Sequence, residues 1–210
     1  MDYLKNLEID LDKYNLVGFG ERGHGQHRLA IQEIAENLFR FKGLFWELPV
    51  DFQKSVNLFL ESEQIDDRFN RYFQGAAKEG NNVETDTITI LKAAKKYNSS
   101  IWCIDSSKVL NEEYQTKSLH GYYFLRGESR NEDMFENIVR VTKDGNEKWC
   151  ILCGCQHLRY GKHFRSGDDT LGNRLKKKYS NKFINVCLAN EGENILEDVQ
   201  GEFDRYFIHE

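Results

Sequence analysis

The chain has 210 residues, of which 40% are hydrophobic and 30% charged, with one proline and a net charge of −5 at neutral pH. This composition excludes a disordered or low-complexity chain, and so mild a negative charge gives no electrostatic basis for a nucleic-acid or anionic-membrane partner. No apolar run nears the roughly 20 residues that span a bilayer, and the N-terminus lacks the cationic start and apolar core of a signal peptide. The expectation is one domain over residues 1–210 in a reducing cytoplasm, where the odd number of cysteines, five, is unremarkable.

Short apolar runs alternate with helical patterns along the chain. That alternation predicts an α/β fold: a mainly parallel central sheet of about five strands with helices on both faces. The first candidate strand, Asn15–Gly20, runs into the turn Gly20-Glu21-Arg22-Gly23-His24-Gly25, whose three glycines permit left-handed or crowded backbone around an acid and an imidazole. Leu29, Ile34, Leu38 and Phe41 then recur at helical spacing over Gln26–Lys42, with Gly43 as a C-terminal cap. His27 lies one helical turn past His24 and either faces the same site or packs.

The second strand is Gly43–Leu48, and Pro49 opens a helix to about Glu61. The polar stretch Glu63–Asn82 holds a short helix around Arg68–Phe73, and Thr87–Tyr97 is the helix before the third strand, Ser100–Asp105. Ser106–Ser129 has no readable pattern, and its aromatic group His120-Gly121-Tyr122-Tyr123-Phe124 reads as either a lid or core filler. A helix over Asn131–Lys143, a fourth strand Lys148–Cys155, a helix over Thr170–Tyr179 and a fifth strand Phe183–Ala189 complete the pattern. Arg174, Lys176, Lys177 and Lys178 read as a solvated face. Strand alternation separates Cys150 from Cys153 and Cys155, which argues against a metal site there.

Ligands of open parallel sheets bind beyond the carboxyl ends of the strands. Glu21 follows the first strand, Glu47 ends the second, Asp105 ends the third and His157 lies past the fourth. A charged side chain beside an apolar run is costly unless paired or useful, so these four positions form the candidate site. Asp105 also reads as a helix N-cap. The loop after His157 carries Arg159 and Arg165, which either hold an anionic part of a ligand or are surface charges.

These residues resemble the superfamily of erythromycin esterases, haem-binding uptake proteins and Tiki proteins, over roughly residues 14–180. Gly20, Glu21, His24 and Gly25 match its Gly-Glu-x-x-His-Gly turn, and Glu47 matches its early-strand Glu. Arg130-Asn131-Glu132-Asp133-Met134-Phe135-Glu136-Asn137 matches its Arg-Asp-x-x-Met-Ala-x-Asn helix start, with Asn131 in place of the usual Asp, and Gly154-Cys155-Gln156-His157 matches its late Gly-x-x-His. The chain is shorter than the esterases and lacks room for their large helical insertion.

The resemblance implies a hydrolase acting on a small-molecule ester or related carbonyl compound. His24 would be the general base for water, Glu21 or Glu47 would orient it, and His157 and Arg130 would polarise the carbonyl. Asp105 and Arg159 join Arg130 as candidate substrate-binding residues, and no cofactor is required. No Gly-x-Ser-x-Gly occurs, so direct attack by water is preferred to an acyl-enzyme. The Tiki resemblance implies an alternative in which Glu21, His24 and His157 ligate a divalent metal. The haem-binding members imply another, a haem protein without catalysis whose cleft Tyr122, Tyr123, Phe124 and Tyr160 would line.

Overall fold

Runs such as Leu16–Glu21 and Trp149–Gly154 are apolar at nearly every position, and only a sheet covered on both faces can bury them. The computed structural model describes residues 13–23, 25–78, 80–81, 83–106, 127–143, 147–162, 167–190 and 201–209. It has an all-parallel sheet in the order β3-β2-β4-β1-β5-β6. The strands are β1 Leu16–Glu21, β2 Gly43–Pro49, β3 Ser100–Asp105, β4 Trp149–Gly154, β5 Phe183–Asn190 and β6 Arg205–His209. The chain moves outward from β1 through β2 to β3, then returns to insert β4 between β2 and β1. The reversal opens a crevice at the carboxyl ends of these strands.

One face is covered by α1 Arg28–Glu36, α2 Gln53–Ser62, α3 Asp67–Lys78 and α4 Val83–Tyr97. There Ile31, Ile34, Val56, Phe59, Phe69 and Ile90 pack on Val17, Phe19, Leu44, Cys150 and Leu152. The other face is covered by α5 Gly127–Val141, the one-turn α6 Cys155–Leu158, and α7 Leu171–Tyr179. There Met134, Ile138, Leu158, Leu171 and Leu175 pack on Leu16, Phe45, Trp149, Ile151 and Cys153. Strand alternation sends Cys150 to one layer and Cys153 to the other; Cys155, expected to end the strand, instead opens α6 and joins Cys153 in its layer, and all three thiols are buried and outside any disulfide.

The structure refines the elements read from sequence. The expected helix Gln26–Lys42 breaks after Glu36, where the Asn37 side chain donates to Glu33 O at 3.0 Å and a 3-10 turn, Leu38–Arg40, follows. The apolar spacing runs through the break because Leu38 is buried as fully as the helical residues before it. The helix before β3 starts at Val83, not Thr87, and α3 extends beyond the expected Arg68–Phe73. A sixth strand, β6, pairs with β5 and makes β5 an interior strand. Of Ser106–Ser129, residues 107–126 lie outside the described residues. Among the described residues no helix is long and apolar enough to cross a membrane.

Part of the open ladder of edge strand β3 is capped by a side chain. The Gln53 amide acts as a substitute strand, donating to Ile101 O and accepting from the Cys103 N–H, each at 2.9 Å. Two glycines set the close approach of helices that carry the site. A Cβ on Gly18 would meet Leu158 at 3.1 Å, and one on Gly172 would lie 1.8 Å from Leu158 O.

Gly172→Ala must therefore push α7 off α6, and its expected cost is about 2–3 kcal/mol in urea unfolding. Gly75→Ala, on an exposed turn of α3 with open space around it, is expected to gain about 0.5–1 kcal/mol.

Candidate active site

The glycine-rich turn is held from the helix that follows it. His27, fully buried at the N-cap of α1, folds its ring back so that Nε2 accepts the backbone N–H groups of Arg22 at 3.1 Å and Gly23 at 3.3 Å. An acceptor nitrogen carries no proton, so this imidazole is neutral and serves to shape the turn. Gly25 takes φ +73°, the left-handed conformation that the glycine spacing suggested. His24, between these anchors, lies outside the described residues.

Glu47 owes its direction to an irregularity in β2. The strand pairs with β4 only as far as Trp46↔Leu152, and against β3 its register shifts between Trp46 and Pro49. Such a bulge re-aims a side chain and ends the ladder. The Glu47 carboxylate takes over from the missing backbone partner: Oε2 accepts the Gly154 N–H of β4 at 2.5 Å.

Its other oxygen belongs to a buried ionic network centred on Arg130. Arg130 Nε and Nη2 donate to the two oxygens of Asp105, each at 2.6 Å, and Nη2 also donates to Glu47 Oε1. Nη1 faces His157 Nε2 at 3.2 Å, and His157 Nε2 lies 3.4 Å from Glu47 Oε1. The neighbouring Asn131 orients the ring from behind, with Oδ1 2.8 Å from His157 Nδ1. Because the Leu171 backbone N–H donates to that same Oδ1 at 3.3 Å, the amide oxygen faces the ring, Nδ1 carries the proton, and Nε2 offers its lone pair to Arg130. Burial pushes the Asp105 carboxyl above its ordinary range, opposed by the Arg130 guanidinium and reinforced by the charge of Glu47.

On the cavity side lie Glu21, at the end of β1, and the wall face of Glu47. Together with Trp46, Tyr72, Asp86, Cys153 and the turn residue Gly25 they line a cavity of about 40 Å³. At the roughly 10–15 Å³ that one water requires, it accommodates two or three water molecules or a small group of a ligand. Sequence reading did not single out Asp86. It lies in the first turn of α4, where an acid is ordinary helix chemistry, so no local signal sets it apart. In the fold it is 8% exposed, its Oδ2 has no hydrogen-bond partner, and burial, aided by nearby Glu21 and opposed by Arg28, pushes its carboxyl up to about 6. Cys153 also lines the cavity, but burial and then the charge of Glu47 raise its thiol well above the ordinary range and hold it protonated.

The residues singled out in the sequence thus fall into distinct places. Glu21 and Glu47 line the cavity, while Asp105, Arg130 and His157 form the buried layer joined to Glu47. Arg159 stands apart: it donates to Lys162 O at 2.9 Å and faces Glu202 at 3.4 Å. Tyr160 packs edge-on against Phe183 and donates its hydroxyl to Asp204. Tyr122, Tyr123, Phe124 and Arg165 lie outside the described residues. Both ring nitrogens of His157 face protein groups, so a metal ligated there would have to displace either Asn131 or Arg130. Among the described residues no three His, Cys, Asp or Glu side chains are grouped to hold a metal ion.

No family model matches this chain, and no curated protein matches it in sequence. Solved structures share its fold. A histidine-to-asparagine mutant of erythromycin esterase EreC in its open conformation superimposes with a TM-score of 0.64 at 11% identity, covering 89% of this chain and 72% of that one. A protein from Bacillus cereus superimposes with a TM-score of 0.60 at 11% identity, covering 89% and 68%. The C-terminal region of Pasteurella multocida toxin, described as having a thiol-protease-like catalytic triad, gives 0.58 at 13% identity, covering 90% of this chain and 25% of that one. At these identities the likeness establishes the erythromycin-esterase-like α/β fold.

Two outcomes follow from the network. Arg130→Met leaves Glu47 and Asp105 as buried carboxylates without their cation, with an expected cost of about 3–5 kcal/mol in urea unfolding. The Asp105 carboxyl, already raised by burial, shifts further up without the guanidinium, so part of the loss is recovered as pH falls and returns as pH rises through the raised value. Asn131→Asp places a carboxylate against His157 Nδ1, and the imidazole pKa read by NMR titration is expected to rise by about one to three units.

Proposed function

We propose that this chain is a hydrolase of small esters or related carbonyl compounds, acting by attack of water at the carboxyl edge of the sheet. The observation that carries this reading is the layered arrangement around Glu47. One face of that carboxylate borders the cavity with Glu21, and the other is fixed by Arg130 and Gly154 beside an oriented His157. Buried ionic groups of this kind cost free energy to assemble, and their collection at one strand edge fits a pre-organised polar site better than a packing role.

In this reading His24 is the general base. The turn that carries it runs from Glu21 to Gly25, both of which line the cavity. Water bound there gives its proton to the imidazole as its oxygen attacks the carbonyl carbon. Glu21 steadies the imidazolium that forms, and the proton then passes to the leaving alkoxide. Arg130 and His157 are positioning residues that hold Glu47 in its orientation, and the guanidinium adds positive potential near the charge that develops. Cys153 is not the nucleophile, because a thiol kept protonated by burial is a poor one. The reaction needs no cofactor in this scheme.

The test is hydrolysis of a panel of small aryl and alkyl esters, scored as kcat/KM. His24→Ala is expected to lower the responsive rate by about 10²–10⁴-fold with an unchanged melting temperature. Full activity in that variant would remove His24 as the base and this mechanism with it.

A further inference from the structure

The hydrolytic scheme leaves one buried group of the cavity without work. Asp86 is 8% exposed, projects from the first turn of α4 into the cavity wall, and keeps one carboxylate oxygen without any partner. A buried acceptor left unpaired lowers stability, and folding by itself gives no reason to keep it. Its surroundings say what would satisfy it. Glu21 lies on the same cavity, close enough for the two carboxyls to repel, and the aromatic rings of Trp46 and Tyr72 complete the wall.

A neutral hydroxyl could donate a hydrogen bond to Asp86, but it would leave the buried charge of that carboxylate uncompensated. An organic cation meets both needs: its N–H groups bond the unpartnered Asp86 oxygen, its charge offsets that buried carboxylate, and its carbon-bound hydrogens lie on the aromatic faces. The volume of about 40 Å³ admits a head of a few heavy atoms and leaves the rest of a substrate outside. Among the described residues the cation that opposes the rise of Asp86 is Arg28, which is exposed at the start of α1 and makes no ion pair with it within 4 Å.

We propose that the cavity bounded by Glu21, Asp86, Trp46 and Tyr72 is a recognition subsite for a small ammonium group of the substrate, with Asp86 as the counter-charge. The word substrate rests on the hydrolase reading; binding of the cation does not. The subsite selects amine-bearing compounds over neutral ones of the same shape.

Binding is read without turnover, by calorimetry and by the indole NMR signal of Trp46, using methylammonium chloride as probe. Sodium chloride at equal ionic strength and methanol, a neutral donor of similar size, are the controls. Methylammonium should perturb Trp46 saturably where the controls do not, and Asp86→Asn should weaken its binding by about tenfold or more. The variant should melt no lower than the native chain, because it removes an unpaired buried charge; Asp86→Ser repeats the measurement if the amide variant does not fold. Equal responses to methylammonium and methanol, or unchanged affinity in the Asp86 variants, would overturn the proposal. Cation binding with no His24-dependent hydrolysis would instead fault the hydrolase reading and leave the subsite standing.

Discussion

The guanidinium of Arg130 is the interaction on which the rest of this edge of the molecule depends. One planar cation from α5 reaches the acid that ends β3, the acid at the bulge of β2 and the imidazole of α6. Each of those groups is buried, and each would be costly alone. Once they meet, small displacements become expensive, because a shift of one leaves a charge or a lone pair unmatched in a low-dielectric setting. The network therefore fixes the relative positions of β2, β3, α5 and α6 more tightly than the apolar layers beneath it could.

Local irregularities are arranged to feed that network. The bulge in β2 sacrifices a stretch of ladder, and the carboxylate it releases repairs the gap by accepting the Gly154 N–H. Gly18 and Gly172 remove side chains so that the single turn bearing His157 lies directly against β1 and α7. Asn131 then settles which nitrogen of His157 holds the proton, through an oxygen pinned by the backbone of α7. The result is an imidazole with one tautomer and one orientation.

The opposite side of the cavity is built on another logic. Glu21 and Asp86 share a confined space, and the Oδ2 of Asp86 has no hydrogen-bond partner. A cluster whose charged groups meet behind Glu47 thus faces a buried Asp86 oxygen left without a partner. That asymmetry is what a binding site is expected to carry, since stability is commonly given up where a ligand must supply the missing partner.

Much of the architecture was legible in the chain itself. Doubly buried strands must read as continuous apolar runs, so β1 to β5 and their order in sequence stand out, and the acids at their ends stand out by contrast. The edge strand β6 escaped because a short, mixed run such as Arg205–His209 has no such signature. The sequence determined that Glu21, Glu47, Asp105 and His157 would occupy one sheet edge, since each follows or ends its strand. It could not determine how they divide between cavity and buried layer, that Arg130 would be spent on two acids, or that Asp86 would join them from across the sheet. Those outcomes depend on strand order, on a one-residue register shift and on where a helix crosses, and they are set by contacts between residues far apart in the chain.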